Sequence, residues 1–224
     1  MPKIELYTSA LCPFAQRARI VLSEKGIEAS EIEIDPRHRP SAFLGMSPLG
    51  KIPLLVHDGV CVWESGVIGE YLDEVFPDPP LLPERASQRA LARSWVSFAD
   101  ARIYELTHRL LLSADSEEQE RMSARLADEL RTLESQALAV NKGPYWLGEQ
   151  FTLVDVAFFP WFEQLAVLER FRGFRMPGEC GRILRWRDAA ASRRSVRSVM
   201  RPPSFYIQGY ERLFKLFLST ESAA

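Results

Sequence analysis

The spacing of apolar residues in the first 76 positions changes between a period of two and a period of about 3.6, which predicts alternating strands and helices. Strands are predicted at residues 4–8, 29–34, 54–56 and 60–63, and helices after Pro13 and at residues 67–75. Asp58-Gly59 separates the last two strands and is a strong signal for a hairpin turn. The order of these elements predicts a small mixed sheet flanked by helices.

The remainder of the chain has a helical period throughout. Four prolines fall within residues 77–83, so residues 77–84 are interpreted as a stiff linker. Helices are predicted at residues 85–112, 117–140, 152–170, 180–200 and 205–218. The sequence therefore predicts an α/β domain over residues 1–76 and an all-helical domain over residues 85–224.

Thr152 and Asp155 have the spacing of a capping box at the start of the third of these helices. The residues that follow are apolar on every side of the helix, which predicts that it is buried. Because unmet donors are costly in such a place, the pair is expected to be structural rather than catalytic.

Composition narrows the possible functions. The 224 residues are 46% hydrophobic and carry a net charge of −2, so no global basic field favours a nucleic acid or an anionic membrane. The chain has three widely spaced cysteines and no paired-cysteine motif, which favours a reducing, cytoplasmic location. No apolar run approaches the roughly 20 residues that span a bilayer, and no signal-peptide pattern opens the chain.

Metal and triad chemistry have no support in the sequence. His38, His57 and His108 are scattered, and no pair of them has the spacing of metal ligands. No serine lies in a nucleophile-elbow motif. A metal cofactor is therefore not expected.

Cys12 is the residue that points most directly to chemistry. It lies between the first strand and Pro13, and proline suits the first position of a helix. A cysteine there faces unpaired N–H groups and the positive end of the helix dipole, which stabilise a thiolate. The pattern predicts a reactive thiol whose pKa is lower than the free value of about 8.5, with a buried, inert cysteine as the alternative.

Four local motifs together resemble the cytosolic glutathione transferases over nearly the whole chain. They are Cys12-Pro13-Phe14-Ala15-Gln16-Arg17, Lys51-Ile52-Pro53-Leu54, Glu64-Ser65, and the 152–155 capping box followed by Phe159-Pro160-Trp161-Phe162-Glu163. The first looks like the omega class and the related dehydroascorbate reductases and lambda class, and the fourth is again similar to omega members. The resemblance implies a thioredoxin-like α/β N-terminal domain and an all-α helical C-terminal domain.

The resemblance also implies a site for glutathione, a tripeptide with two carboxylates, one ammonium and one thiol. The expected glutathione-binding residues are Phe14, Arg39, Lys51, Ile52, Pro53, Glu64 and Ser65. A cis Ile52–Pro53 bond would present the Ile52 backbone to the cysteinyl part of glutathione as an added strand edge. Ser65 suits the γ-glutamyl carboxylate at a helix start, Glu64 suits the ammonium, and either basic side chain could meet the glycyl carboxylate.

A cysteine at the catalytic position implies thiol transfer through a glutathione mixed disulfide. Many family members carry Tyr or Ser there, and their hydroxyl stabilises the glutathione thiolate for conjugation. Cys12 would attack a glutathionylated substrate itself, and glutathione would then release it. Since Ala15 offers no second cysteine, the mechanism would be monothiol. Dehydroascorbate reduction would use the same groups.

Two other functions stay open. One is a binding or regulatory protein on the same scaffold, and the other is glutathione-dependent ether cleavage or dehalogenation of aromatic compounds. The complete set of expected ligand residues favours an enzyme. The expected partners are glutathione, a small electrophilic or disulfide substrate, and a second copy in a homodimer.

Aromatic residues of the helical part are candidates for a second-substrate pocket. The candidates are Tyr104, His108, Trp161 and Tyr206. Aromatic residues at helical spacing also form ordinary core, so the pattern leaves both interpretations open.

Overall fold

The computed structural model describes residues 3–35, 37–139 and 142–221. The first elements are β1 (Ile4–Thr8), α1 (Pro13–Glu24), β2 (Ser30–Glu33), α2 (Ser41–Met46), β3 (Leu54–His57), β4 (Val60–Trp63) and α3 (Ser65–Val75). They are followed by α4 (Ala86–Phe98), α5 (Glu105–Leu112), α6 (Ser116–Thr132), α7 (Leu153–Glu163), α8 (Leu165–Arg172), α9 (Gly181–Ser192), α10 (Arg194–Val199) and α11 (Pro203–Glu221). Predictions for the chain ends (1–2 and 222–224) and for the helix end at 140 lie outside the described residues.

Four strands form one mixed sheet in the order β2-β1-β3-β4. Strand β1 runs parallel to β2 and antiparallel to β3, and β3 and β4 form the predicted hairpin. Asp58 and Gly59 have φ angles of 47° and 87°, which suits a tight hairpin turn. The α/β organisation predicted from the hydrophobic pattern is confirmed.

The two faces of the sheet are buried against different helices. Leu6 and Leu55 are fully buried in the large core that contains α1, α3 and the helical part of the chain. Leu54 on the opposite face packs in a smaller core with Phe43 of α2. The alternation of side chains along β3 thus places one layer of helices on each side of the sheet.

The helical part contains two breaks that the periodicity did not predict. The predicted helix 152–170 is interrupted at Gln164, which has φ −96° and ψ 3° and separates α7 from α8. The predicted helix 180–200 is interrupted at Arg193, whose backbone is extended with φ −66° and ψ 135°. The Arg193 side chain turns towards α1 and donates from Nε to Glu24 at 2.8 Å, a long-range contact that a helical period cannot reveal.

The capping box at the start of α7 is confirmed, and Asp155 has a wider role than the motif suggests. Its carboxylate accepts hydrogen bonds from the Thr152 N–H at 2.8 Å, the Trp146 N–H at 2.8 Å and the Trp186 indole at 2.7 Å. Trp146 stacks on Phe158 with ring centroids 3.9 Å apart. Asp155 therefore fastens α7, α9 and the loop before α7 into one buried unit.

Helix α1 joins the sheet to the helical part. Arg17 of α1 donates from Nε to the Ala157 carbonyl of α7 at 3.1 Å. The linker adds a second connection, because the Leu153 N–H of α7 donates to the Leu81 carbonyl at 2.9 Å.

None of the helices in the described part of the chain combines the length and the apolar character that a bilayer crossing demands.

Candidate active site

Cys12 is the N-cap residue of α1. Its backbone is extended, with φ −80° and ψ 114°, and Pro13 occupies the first turn as predicted. The Cys12 carbonyl accepts the first helical hydrogen bond from the Gln16 N–H at 3.1 Å. The half-buried thiol donates a long contact of 4.0 Å from Sγ to the Ile52 carbonyl. The sulfur thus lies where the start of α1 meets the loop before β3.

The prediction of a low pKa for the Cys12 thiol is wrong. Burial is the largest influence, and it raises the pKa of Cys12 above its usual value. The N–H groups of Ala15 and Phe14 and the charges of Arg19 and Arg17 act in the opposite direction but are outweighed. The helix start is present as predicted, but no local pattern measures how much solvent the sulfur loses.

The structure gathers six of the seven expected glutathione-binding residues along one cleft. They are Phe14, Lys51, Ile52, Pro53, Glu64 and Ser65, and the structure adds Ser47, Leu49 and Trp63. The cleft has a cavity volume of about 130 Å³ and is open to solvent. The Ile52–Pro53 bond is cis, as the resemblance implied. Arg39 is exposed and lies over Gly50 rather than in the cleft wall.

Glu64 and Ser65 form a strained helix start at one end of this cleft. Glu64 has φ 66°, a left-handed conformation that is rare for a residue with a side chain. Its carbonyl accepts the Ile68 N–H at 2.8 Å, so the strain is held by the first turn of α3. Ser65 is buried, and the free N–H groups of the helix start favour an anion there. Strain of this kind is concentrated at functional sites.

Arg17 is a site residue that the sequence analysis did not assign. It is 2% exposed and donates from Nη1 to the Ser65 hydroxyl at 3.2 Å. Its Nη2 lies 2.7 Å from Asp100 Oδ1, and its guanidinium stacks between the rings of Phe14 and Tyr104 at 4.9 and 4.5 Å. Arg17 is four residues before the core residue Val21, so the helical period already contained the signal.

A second, smaller and more apolar cavity of about 40 Å³ adjoins the start of α1. It is lined by Tyr104 and Trp161, as expected, and also by Pro13, Gln164 and Tyr210. The other two candidates for the second-substrate pocket, His108 and Tyr206, do not line this cavity. His108 is exposed. Tyr206 is buried in the core, where its hydroxyl donates to Glu163 at 2.6 Å.

The ionisable groups around this cavity have little tendency to carry charge. Burial raises the pKa of Tyr104 to about 12 and also raises that of Tyr210. The Tyr104 hydroxyl donates to the Ala157 carbonyl at 3.1 Å. Within the described ranges, no group of three or more His, Cys, Asp or Glu side chains could hold a metal ion.

Comparison with known proteins identifies the family to which the chain belongs. The family model described as "Glutathione S-transferase, N-terminal domain" matches residues 6–80, and that described as "Glutathione S-transferase, C-terminal domain" matches residues 116–189. The chain therefore belongs to the glutathione S-transferase family, with a thioredoxin-like N-terminal domain and a helical C-terminal domain.

The similar proteins include members of more than one class. Glutathione S-transferase U25 of Arabidopsis thaliana, a Tau-class relative, is 37% identical over 188 residues, 82% of each chain. Glutathione transferase Omega 3C of Trametes versicolor superposes with a TM-score of 0.79 at 32% identity, covering 88% of this chain and 89% of that one. Rice GST1 in complex with glutathione gives a TM-score of 0.86 at 31% identity over 96% and 98%. The omega-like subclass stays a prediction.

Proposed function

We propose that this protein is a glutathione-dependent thiol transferase that uses Cys12 through a glutathione mixed disulfide. The observation that carries the proposal is the position of the Cys12 sulfur, 4.0 Å from the carbonyl of Ile52, which lines the cleft shared by Phe14, Glu64 and Ser65. A glutathione whose cysteinyl backbone pairs with Ile52 would bring its own sulfur beside Cys12. The structure of the rice relative contains glutathione, which supports the choice of ligand.

The reaction has two thiol–disulfide exchanges. In the first, the Cys12 thiolate attacks the glutathione sulfur of a glutathionylated substrate. The substrate's S–S bond breaks, and its thiolate leaves and takes up a proton. In the second, a glutathione thiolate attacks the glutathione sulfur bound to Cys12, which releases oxidised glutathione and restores the Cys12 thiolate. Deglutathionylation and dehydroascorbate-type reduction are the activities proposed.

The cleft suggests how glutathione is held. The γ-glutamyl carboxylate would meet the Ser65 hydroxyl and the start of α3, with Arg17 behind Ser65 supplying positive charge. The ammonium would meet Glu64. Lys51 lines the cleft and Arg39 does not, so we assign the glycyl carboxylate to Lys51.

Conjugation is a second candidate, and a specific observation favours it. Burial raises the pKa of Cys12, which favours the protonated thiol. A protonated thiol can donate to the glutathione thiolate, as a serine or tyrosine hydroxyl does in conjugating members of the family. The Tau-class curated relatives are consistent with this activity.

Mass spectrometry after incubation with glutathione disulfide separates these functions. Thiol transfer predicts one added glutathione on the wild type, none on Cys12→Ser, and one on the control Cys61→Ser, which changes a partly exposed cysteine of β4. Conjugation predicts an unmodified wild type that, like Cys12→Ser, turns over a chloroaromatic substrate but reduces neither hydroxyethyl disulfide nor dehydroascorbate. An unmodified wild type without any of the three activities would favour a binding protein instead.

We also propose that the protein forms a homodimer. Large apolar side chains are exposed on three neighbouring elements, with Val60 of β4 55%, Val67 of α3 56% and Leu91 of α4 49% accessible. The Arg93–Glu70 pair joins α3 to α4 at 2.6 Å and lies between them. Light scattering should show a dimer that Val67→Glu dissociates, whereas Leu112→Glu on the far end of α5 leaves it intact. A monomeric wild type would contradict the proposal.

A further inference from the structure

Helix α11 contacts the loop that carries Cys12 although about 200 residues separate them along the chain. The contact is made on both sides of Leu11, the residue immediately before Cys12. Gly209 of α11 lies against the Leu11 side chain, so close that a Cβ added to Gly209 would be 2.3 Å from Leu11 Cδ2. A side chain at position 209 would therefore force the Leu11 side chain to move.

The backbone of Leu11 is held by a two-step hydrogen-bond relay. Gln164, at the break between α7 and α8, donates from Nε2 to the Leu11 carbonyl at 3.2 Å. The Gln164 Oε1 atom accepts from the Tyr210 hydroxyl of α11, also at 3.2 Å. The Gln164 side chain is 9% exposed, so few water molecules are available to replace either bond.

The neighbouring residue Glu163 sets the position of α11 itself. Its Oε1 accepts from the Tyr206 hydroxyl of α11 at 2.6 Å and from the Arg201 N–H at 2.7 Å. Its Oε2 accepts from Gln16 of α1 at 3.1 Å. Glu163 and Gln164 are adjacent at the end of α7 but have different roles. Glu163 holds α1 and α11 in position, whereas Gln164 contacts the loop that carries Cys12.

We propose that Gln164 and Tyr210 are positioning residues for Cys12, with α11 as the wall that holds the Leu11–Cys12 peptide in place. The proposal rests on Cys12 being the reactive group. The Leu11 carbonyl sits directly before the sulfur-bearing residue, and the amide of Gln164 fixes its orientation and neutralises its partial negative charge. Without that donor the loop can turn, and the carbonyl dipole disfavours a thiolate nearby.

Alkylation of Cys12 by iodoacetamide tests this without any glutathione. Gln164→Met keeps the length of the side chain but removes both hydrogen bonds, and Tyr210→Phe removes one hydroxyl. Each is expected to lower the alkylation rate at pH 7.5 about fivefold, the effect of one lost neutral hydrogen bond, and to move the midpoint of the pH profile upward. In turnover, kcat should fall while the KM for glutathione changes little, since neither residue lines the glutathione cleft.

Two further variants serve as controls for this test. Tyr206→Phe removes a hydroxyl one turn earlier on the same helix, and it should lower thermal stability without moving the alkylation midpoint. The double variant Gln164→Met/Tyr210→Phe should be no slower than Gln164→Met alone, because the two groups act through one relay.

An unchanged alkylation profile in Gln164→Met would overturn the proposal. An equal shift in Tyr206→Phe would also overturn it, because general loosening of α11 would then explain the effect. These outcomes are independent of the thiol-transfer proposal. That proposal fails instead if glutathione disulfide leaves the wild type unmodified while iodoacetamide still labels Cys12.

Discussion

Replacing Arg17 by Met tests whether a buried guanidinium supports the glutathione site. The side chain is 3% exposed and contacts Ser65, the Ala157 carbonyl and Asp100. Met keeps the length of the side chain and most of its packing against Phe14 and Tyr104. The substitution therefore removes the charge and its hydrogen bonds while leaving little empty space.

The cost can be worked out contact by contact. The Ala157 carbonyl keeps a donor, because the Tyr104 hydroxyl also bonds it at 3.1 Å. The Asp100 side chain is 46% exposed, so water can solvate the freed carboxylate and the cost of about 3–5 kcal/mol for breaking a fully buried pair does not apply. The remaining loss is a charge-assisted bond to buried Ser65 and part of that to Ala157, or about 2 kcal/mol.

Urea unfolding of Arg17→Met should show this loss beside a control, Arg93→Met. Arg93 pairs with Glu70 at a surface position that is 51% exposed, and its loss should cost at most about 1 kcal/mol. The KM for glutathione should rise in Arg17→Met alone, because Ser65 loses its charged neighbour. Equal stabilities for the two variants, with an unchanged KM, would refute the supporting role of Arg17.

Three further outcomes follow from buried ionisable groups. Asp155→Ala removes the carboxylate that accepts from the Trp146 N–H and the Trp186 indole, and should lower the free energy of unfolding by at least about 3 kcal/mol in urea titrations. The pH profile of Cys12 alkylation should have a midpoint above that of a free cysteine, and a midpoint below it would contradict the burial argument. Burial raises the pKa of Glu163, so its contribution to stability is full below about pH 4.3 and is lost as pH rises through the folded pKa. Glu163→Gln should remove that part of the pH dependence, which unfolding at pH 4 and pH 7 can measure.

The sheet could be predicted from sequence because its signals are local. Alternating apolar positions identified β2, short apolar runs identified β1 and β3, and Asp58-Gly59 marked the hairpin between β3 and β4. Pro13 marked the start of α1, and the capping box marked the start of α7. Each of these signals depends on residues a few positions apart, which is the range over which backbone geometry is decided.

The features that the sequence did not predict depend on distant contacts. The helix break at Arg193 accompanies an ion pair with Glu24, 169 residues away in the chain. The raised pKa of Cys12 depends on how deeply neighbouring elements bury the sulfur, and no local pattern encodes that depth. Tyr206 was a pocket candidate because it is an aromatic residue at helical spacing. In the structure it lies in the core, where its hydroxyl donates to the carboxylate of Glu163.

The raised pKa of Cys12 also predicts how the first exchange of thiol transfer depends on pH. In that exchange Cys12 is the nucleophile, and because only its thiolate reacts, a raised pKa slows the attack at neutral pH. In the second exchange Cys12 is the leaving group, and a thiol with a raised pKa also leaves more slowly. Mass measurement after timed incubation with glutathione disulfide should show that the rate of Cys12 modification still rises at a pH where a free cysteine has reached its plateau. A plateau at or below that of a free cysteine would contradict the argument.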